Sequence, residues 1–252
     1  MQRLLPSICA IVAVALSACA HVHSVSAPIV TDRPDQTEGT ALVARGWTQL
    51  EAGVTAYGSG RAPATRSFGE ALLRYGVAPR FEARFDLPSV ITTTGSAHEL
   101  SEGGVGFKTA LLIPAEHASH AVPAVSLLAS TGISTHWSRG TALGTPEVIL
   151  ASSWGLSDRA DLSANVVTLP FASGAGASWV GLTLSAGFDL TDRLGAYAEV
   201  YNLGSPTANG GVTWRVTPGF QVDARLGLTD LMAPRARGGP TGLAGVGFGT
   251  RW

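Results

Sequence analysis

From Trp47 onward, apolar and polar residues alternate with period two along most of the chain. Phe81, Ala83, Phe85 and Leu87 interleave with Arg80, Glu82, Arg84 and Asp86. Val180, Leu182, Leu184, Ala186, Phe188 and Leu190 interleave with Trp179, Gly181, Thr183, Ser185, Gly187 and Asp189. Phe220, Val222, Ala224, Leu226 and Leu228 do the same with Gln221, Asp223, Arg225, Gly227 and Thr229, and Ala244, Val246, Phe248 and Trp252 with Gly245, Gly247, Gly249 and Arg251. Successive side chains of a strand point to opposite faces, so this period marks strands whose two faces meet different surroundings.

About twelve such segments can be marked, each about ten residues long, the length a tilted strand needs to cross a bilayer. They lie near 46–57, 68–77, 80–88, 103–113, 122–133, 145–156, 159–170, 178–190, 193–203, 209–217, 219–230 and 242–252, with 122–133 and 142–155 the least regular. Val77-Ala78-Pro79, Ser157-Asp158, Thr191-Asp192 and Pro218 read as tight turns, and 58–67, 89–102, 134–144 and 231–241 as longer loops rich in Gly, Pro, Ser and Thr. Short turns on one side and long loops on the other are the asymmetry of outer-membrane barrels. Lipid offers no partner to an open strand edge, so a spanning sheet must close. The pattern therefore predicts an all-β, closed antiparallel transmembrane barrel over 46–252. An even strand count puts both of its ends on the short-turn, periplasmic side.

Two further features favour a barrel over a soluble β-sandwich, which also alternates. The polar parity carries charges on nearly every strand, whereas the apolar parity carries almost none. Tyr75, Phe81, Phe188, Phe220 and Trp252, all of apolar parity, fall beside the short turns, as an aromatic girdle at one membrane interface would. Phe248 and Trp252 on the last strand also form the aromatic signal expected by the barrel assembly machinery.

Ahead of the strands stand two segments of different character. Arg3 and the apolar run Leu4–Ala18, broken at Pro6 and Ser7, have the order of a secretory signal and are too short for a permanent transmembrane helix. Cleavage has two readings: a small-residue site at Ala18-Cys19-Ala20, or a lipobox, Leu16-Ser17-Ala18-Cys19, that would make Cys19 a lipidated first residue. Residues 21–45 form a polar lead with no periodicity. Its Asp32, Arg33, Asp35 and Glu38 suit either a partial plug at the periplasmic mouth, paired with lumen arginines, or a disordered tail.

Composition narrows the chemistry. The net charge of −1 provides no basic face for nucleic acid. The only cysteines, Cys9 and Cys19, leave the strands without a disulfide, thiol nucleophile or Cys-based metal site, and no cofactor motif is present. By parity the lumen receives Glu51, Glu70, Glu82, Asp161, Glu199 and Asp223 together with Arg74, Arg80, Arg84, Lys108, Arg193, Arg215, Arg225 and Arg251. These signs nearly cancel, which argues against strong ion selectivity. Whether the charges select a solute or only line and fill the lumen stays open. Tyr197 and Tyr201 flank Glu199 on the same face, as an aromatic contact for a solute or as lumen filler.

Signals for an enzyme are weak. Ser134-Thr135-His136 sits in a loop without a nucleophile-elbow motif or an orienting partner, and His117 with His120 lacks a third metal ligand. No catalytic or metal-binding residue is assigned.

Thr31-Asp32-Arg33-Pro34-Asp35 with Thr37 and Glu38, followed by Gly46-Trp47, resembles the start of outer-membrane transporters in the "MetA pathway of phenol degradation" family. Leu73-Arg74-Tyr75-Gly76, Arg80-Phe81-Glu82, Gly106-Phe107-Lys108, Gln221-Val222-Asp223-Ala224 and the Gly-rich close at Gly245–Trp252 are similar to its later landmarks. The lipobox departs from that pattern. The resemblance implies a transporter-type barrel in the outer-membrane lipid that passes small solutes, aromatic or hydrophobic ones among them. A closed structural or surface barrel and an outer-membrane hydrolase are the alternatives.

Overall fold

The computed structural model describes residues 28–59, 62–96, 98–115, 118–134, 143–144, 146–169, 179–233 and 239–252. The expected export signal with Cys19, and likewise His21, His23, His117 and His136, lie outside the described residues.

The strands are β1 (Thr48–Ser59), β2 (Ala62–Ala78), β3 (Phe81–Leu87), β4 (Val90–Thr93), β5 (Glu99–Leu100), β6 (Gly103–Leu112) and β7 (Ala124–Ile133). They continue with β8 (Glu147–Ser157), β9 (Ala160–Leu169), β10 (Trp179–Asp189), β11 (Leu194–Asn202), β12 (Pro206–Thr217), β13 (Phe220–Thr229) and β14 (Thr241–Arg251). Twelve of them, β1–β3 and β6–β14, form one ring in which every neighbour is antiparallel, and β1 closes it by pairing with both β2 and β14. The expected closed barrel of about twelve strands is what forms.

Two loop assignments are corrected. The stretch 58–67 is mostly strand, because β2 begins at Ala62 and Thr65–Phe68 pairs with β4. Gly69, at φ +76°, lets β2 step its register between Phe68 and Glu70, and that step had hidden the strand's start from a period-two reading. The stretch 89–102 contains β4 and β5. Pro88 lacks an N–H and interrupts the ladder after β3, so β4 resumes pairing with β2 farther along. The connection 203–205 is also tight, so the far rim is less uniformly long-looped than expected.

The barrel is inside-out relative to a soluble domain. Leu226 is 70% exposed, and Val180, Leu182, Val200, Trp214 and Val246 also lie bare on the outer wall. In contrast Glu51, Glu82 and Lys108 on the inner wall have no exposure at all. A surface that is apolar outside and charged inside requires a hydrocarbon solvent around it. Near the rim where β1 starts and β14 ends, Tyr75, Phe81 and Phe188 are exposed outward. Phe81 stacks on Phe107 at 5.3 Å and Phe220 meets Phe248 at 6.1 Å, which gives the girdle its continuity. Leu226→Arg, placing a cation on the lipid face within β13, should destabilise the barrel by roughly 2–4 kcal/mol if it sits near the bilayer midplane. Urea unfolding in lipid vesicles measures it, and Leu226→Ile, which keeps the outer face apolar, serves as control.

Candidate functional site

The segment from 28 to 45, with no strand of its own, makes hydrogen bonds or ion pairs with side chains on β1, β2, β3, β6, β7, β11 and β13. Only a position inside the closed ring can reach all of these. Irregular backbone at this depth needs a partner for each N–H and C=O, since lipid provides none.

Wall carboxylates supply the acceptors. Glu51 accepts the N–H groups of Asp32 and Arg33 at 2.9 and 3.0 Å, and Glu82 accepts that of Val43 at 2.7 Å. Glu199 takes the N–H of Gln36 at 2.9 Å and both the N–H and hydroxyl of Thr37, at 2.5 and 2.6 Å, while Asn209 donates to its other oxygen. Donors on the wall cover the carbonyls: Gln49 donates to Val30, Arg225 to Pro34, Ser126 to Thr40 and Arg74 to Ala41, at 2.8–3.0 Å. Gln221 donates to the Thr31 hydroxyl at 2.7 Å. Inward glycines make the room. A Cβ on Gly247 would fall 2.6 Å from Arg33 Nε, and one on Gly249 would run into Thr31.

The most highly charged part of the site lies on β1, β2, β3 and β6. Arg74 reaches Glu51 at 2.9 Å, Glu82 at 2.9 Å and Asp32 at 3.0 Å. Arg84 holds Asp32 at 2.7 Å, Glu38 at 2.9 Å and Glu82 at 3.1 Å. Lys108 Nζ lies 3.1 Å from Asp32 and 3.5 Å from Glu38. All the wall members of this cluster are buried, so the charges are viable only because each is matched. On the other side Arg33 pairs with Glu70 at 3.3 Å and lies 3.7 Å from Asp223.

The remaining sequence candidates lie away from this cluster. Arg80 sits exposed in the β2–β3 turn and Asp161 is exposed near the start of β9. Arg215 is half-buried near the same rim and donates to the Asp192 carbonyl at 2.9 Å. Arg251 stacks over Trp47 at 5.1 Å. Tyr197 and Tyr201 are half-buried on the inner side of β11, and the Tyr197 ring covers Gly211, where a Cβ would meet its Cζ at 3.1 Å. Phe248 belongs to the outer girdle through Phe220, and Trp252 is half-buried just past the end of β14. The inner wall also buries the neutral polar residues Gln49, Thr55, Ser126, Thr183, Asn209 and Gln221, which carry no charge to mark them in the sequence. Gln49 and Gln221 share the parity of Glu51 and Asp223, so a parity count that admitted amides would have found them.

The acids of the inner segment titrate in opposite directions. Burial raises Glu38 from 4.5 to about 7, aided by neighbouring Asp32 and opposed by Arg84 and Lys108. Asp35 is also raised, by burial and the nearby Glu199, against a bond from Ser185. Burial alone would raise Asp32, but Arg74, Lys108 and Arg84 together outweigh it and hold it well below the usual range. A raised carboxyl gives the bound segment a proton that the released one lacks. Its contribution is full below pH 4.5 and is lost as pH rises through about 7. The Asp32 contribution is present above pH 3.8 and lost only as pH falls below that. The segment should therefore be held tightest in mild acid and loosen towards pH 8. Amide hydrogen exchange over residues 31–43, corrected for intrinsic rates, should show falling protection across that rise.

The family model described as "Putative MetA-pathway of phenol degradation" matches residues 31–239. The chain belongs to this family. The match begins within the inner segment and runs through β13, so the family pattern includes the segment and all but the last strand of the barrel. Among solved structures, an outer membrane channel from Pseudomonas putida F1 superposes with a TM-score of 0.52 at 13% identity, covering 87% of this chain and 100% of that one. The NanC porin gives 0.51 at 9% identity over 81% and 98% of the two chains. The KdgM porin, solved with disordered oligogalacturonate, gives 0.50 at 8% identity over 80% and 98%. At these identities the likeness establishes the shared outer-membrane barrel fold. A search of curated proteins finds no match.

Proposed function

We propose that this member of the family is an outer-membrane channel for passive entry of small solutes, aromatic or hydrophobic compounds among them, with residues 28–45 acting as a plug. The observation that carries the reading is the way the segment is held. It adds no strand to the sheet, and its contacts with the barrel strands are made mainly by wall side chains. Such a segment can leave while the ring keeps every ladder hydrogen bond. The family description supports a role near phenol breakdown, and the tyrosines of β11 would offer ring contacts.

The test is solute flux into liposomes carrying the purified full chain, with phenol, a neutral sugar of similar size and empty liposomes compared. Phenol entry faster than through the bare bilayer supports the channel. Equal rates of sugar entry with and without protein, both for the full chain and after removal of the segment, would instead make this a closed structural barrel.

A further inference from the structure

Two cations of the inner wall take their close ion pairs wholly or partly from the inner segment. Arg74 is matched there, with Glu51 on one side and a two-pronged contact to Glu82, at 2.9 and 3.0 Å, on the other. Arg84 has one wall carboxylate, Glu82, reached by Nη1, while its Nη2 bonds to Glu38 of the inner segment. For Lys108 Nζ, every ion pair and hydrogen bond among the described residues goes to Asp32 or Glu38 of that segment. Lys108 has no exposure, and it is the only lysine in the chain. A barrel without the segment would thus hold an ammonium and half a guanidinium facing the lumen outside any close ion pair, with Glu82, already held by Arg74 in its two-pronged contact, and Asp86 as the neighbouring wall acids. With the segment out these donors face the open lumen without their close partners, and a carboxylate is the group whose two oxygens match them.

The geometry points to a carboxylate-binding site formed by Lys108 and Arg84 beside Arg74, occupied in this structure by the chain's own Asp32 and open to small organic carboxylates when the segment is out. This rests on the reading of residues 28–45 as a plug. The Asp32 carboxylate shows how a ligand would sit: one oxygen 3.1 Å from Lys108, the other 2.7 Å from Arg84 and 3.0 Å from Arg74. Convergence of three donors from adjacent strands on two coplanar oxygens favours a planar carboxylate over a spherical halide. A carboxylate solute would then compete with Asp32 for the same donors and promote release of the segment that blocks its way.

The test uses the full chain with Asp32→Ala, which removes the carboxylate that fills the site and one anchor of the segment, folded into detergent and checked for heat-modifiable migration. Labelled benzoate is measured by equilibrium dialysis at fixed chloride, with benzamide as the neutral isostere. Asp32→Ala should bind benzoate and not benzamide, and adding Lys108→Met should weaken binding about tenfold or more, the effect of one charge-assisted hydrogen bond. Should the Lys108→Met protein not fold, Arg84→Gln in the Asp32→Ala background gives the same readout. Equal binding of benzoate and benzamide, no binding at all, or indifference to both second substitutions overturns the site. Binding is read without transport. Specific benzoate binding with no benzoate-dependent rise in bilayer current through the natural chain would uphold the site and count against the plug.

Discussion

Deleting residues 28–43 should raise the single-channel conductance of the barrel several-fold without altering its heat-modifiable migration. The segment reaches from Lys108 and Arg84 on one wall to Glu199 and Arg225 on the other, so it occupies the width of the lumen. The ladder that closes the ring, from β1–β2 round to β1–β14, involves none of the deleted backbone. The deletion also removes Asp32, Asp35 and Glu38 against a single cation, Arg33, so the lumen becomes more positive. Reversal potentials under a salt gradient should accordingly move towards anion preference, more at pH 8, where Glu38 in the intact chain is largely ionised. A second perturbation leaves the chain full-length. The atoms nearest a Cβ on Gly249 belong to the side chains of Thr31 and Ile29, both in the segment, so Gly249→Val presses first on the plug. It should shift conductance in the same direction by a smaller amount. Conductance and selectivity unchanged in both variants would remove the segment from any role in permeation.

The barrel was legible in the sequence because parity is a local signal. Each of Glu82, Arg84, Asp223 and Arg225 announces its face through its immediate neighbours, and membrane solvent makes that rule strict. Legibility failed where the ladder is irregular. The start of β2 is hidden by the step at Gly69, and Pro88 splits what would otherwise be one strand into β3 and β4. The inner segment was readable only as charged and unperiodic. Its path depends on partners more than a hundred residues away, such as Glu199 for Thr37 and Arg225 for Pro34. The glycines that admit it, Gly247 and Gly249, look in sequence like ordinary small residues of an alternating strand. Similarly, the near-cancellation of lumen charge is a sum over the whole barrel. It concealed that Lys108 and Arg84 draw on the segment for their counter-charges, which is a matter of three-dimensional placement.

Arg74→Leu should be the most damaging single substitution in the wall. The guanidinium joins three strands, bonding to Glu51 on β1 and Glu82 on β3 from its own place on β2, and it also reaches Asp32 and the Ala41 carbonyl. Leucine fills much of the space but leaves Glu51 and Glu82 buried, with fewer donors than they have charge to satisfy. Removing one partner of a buried ion pair costs about 3–5 kcal/mol, far more than the pair contributes relative to a well-packed apolar replacement. The expected result is a lower urea midpoint in vesicles and a lower temperature for loss of the compact band on gels. Part of the loss should return in Arg74→Leu/Glu51→Gln, because the amide removes one stranded charge. Arg74→Lys should fall between, since an ammonium keeps the charge and loses the fork that spans both carboxylates. If instead Arg74→Leu unfolds like the natural chain while amide protection is lost only across residues 31–43, the network serves to hold the plug and the sheet is stable without it. That outcome would strengthen the case for release, because a ring indifferent to its largest internal charge cluster can open and close around it freely.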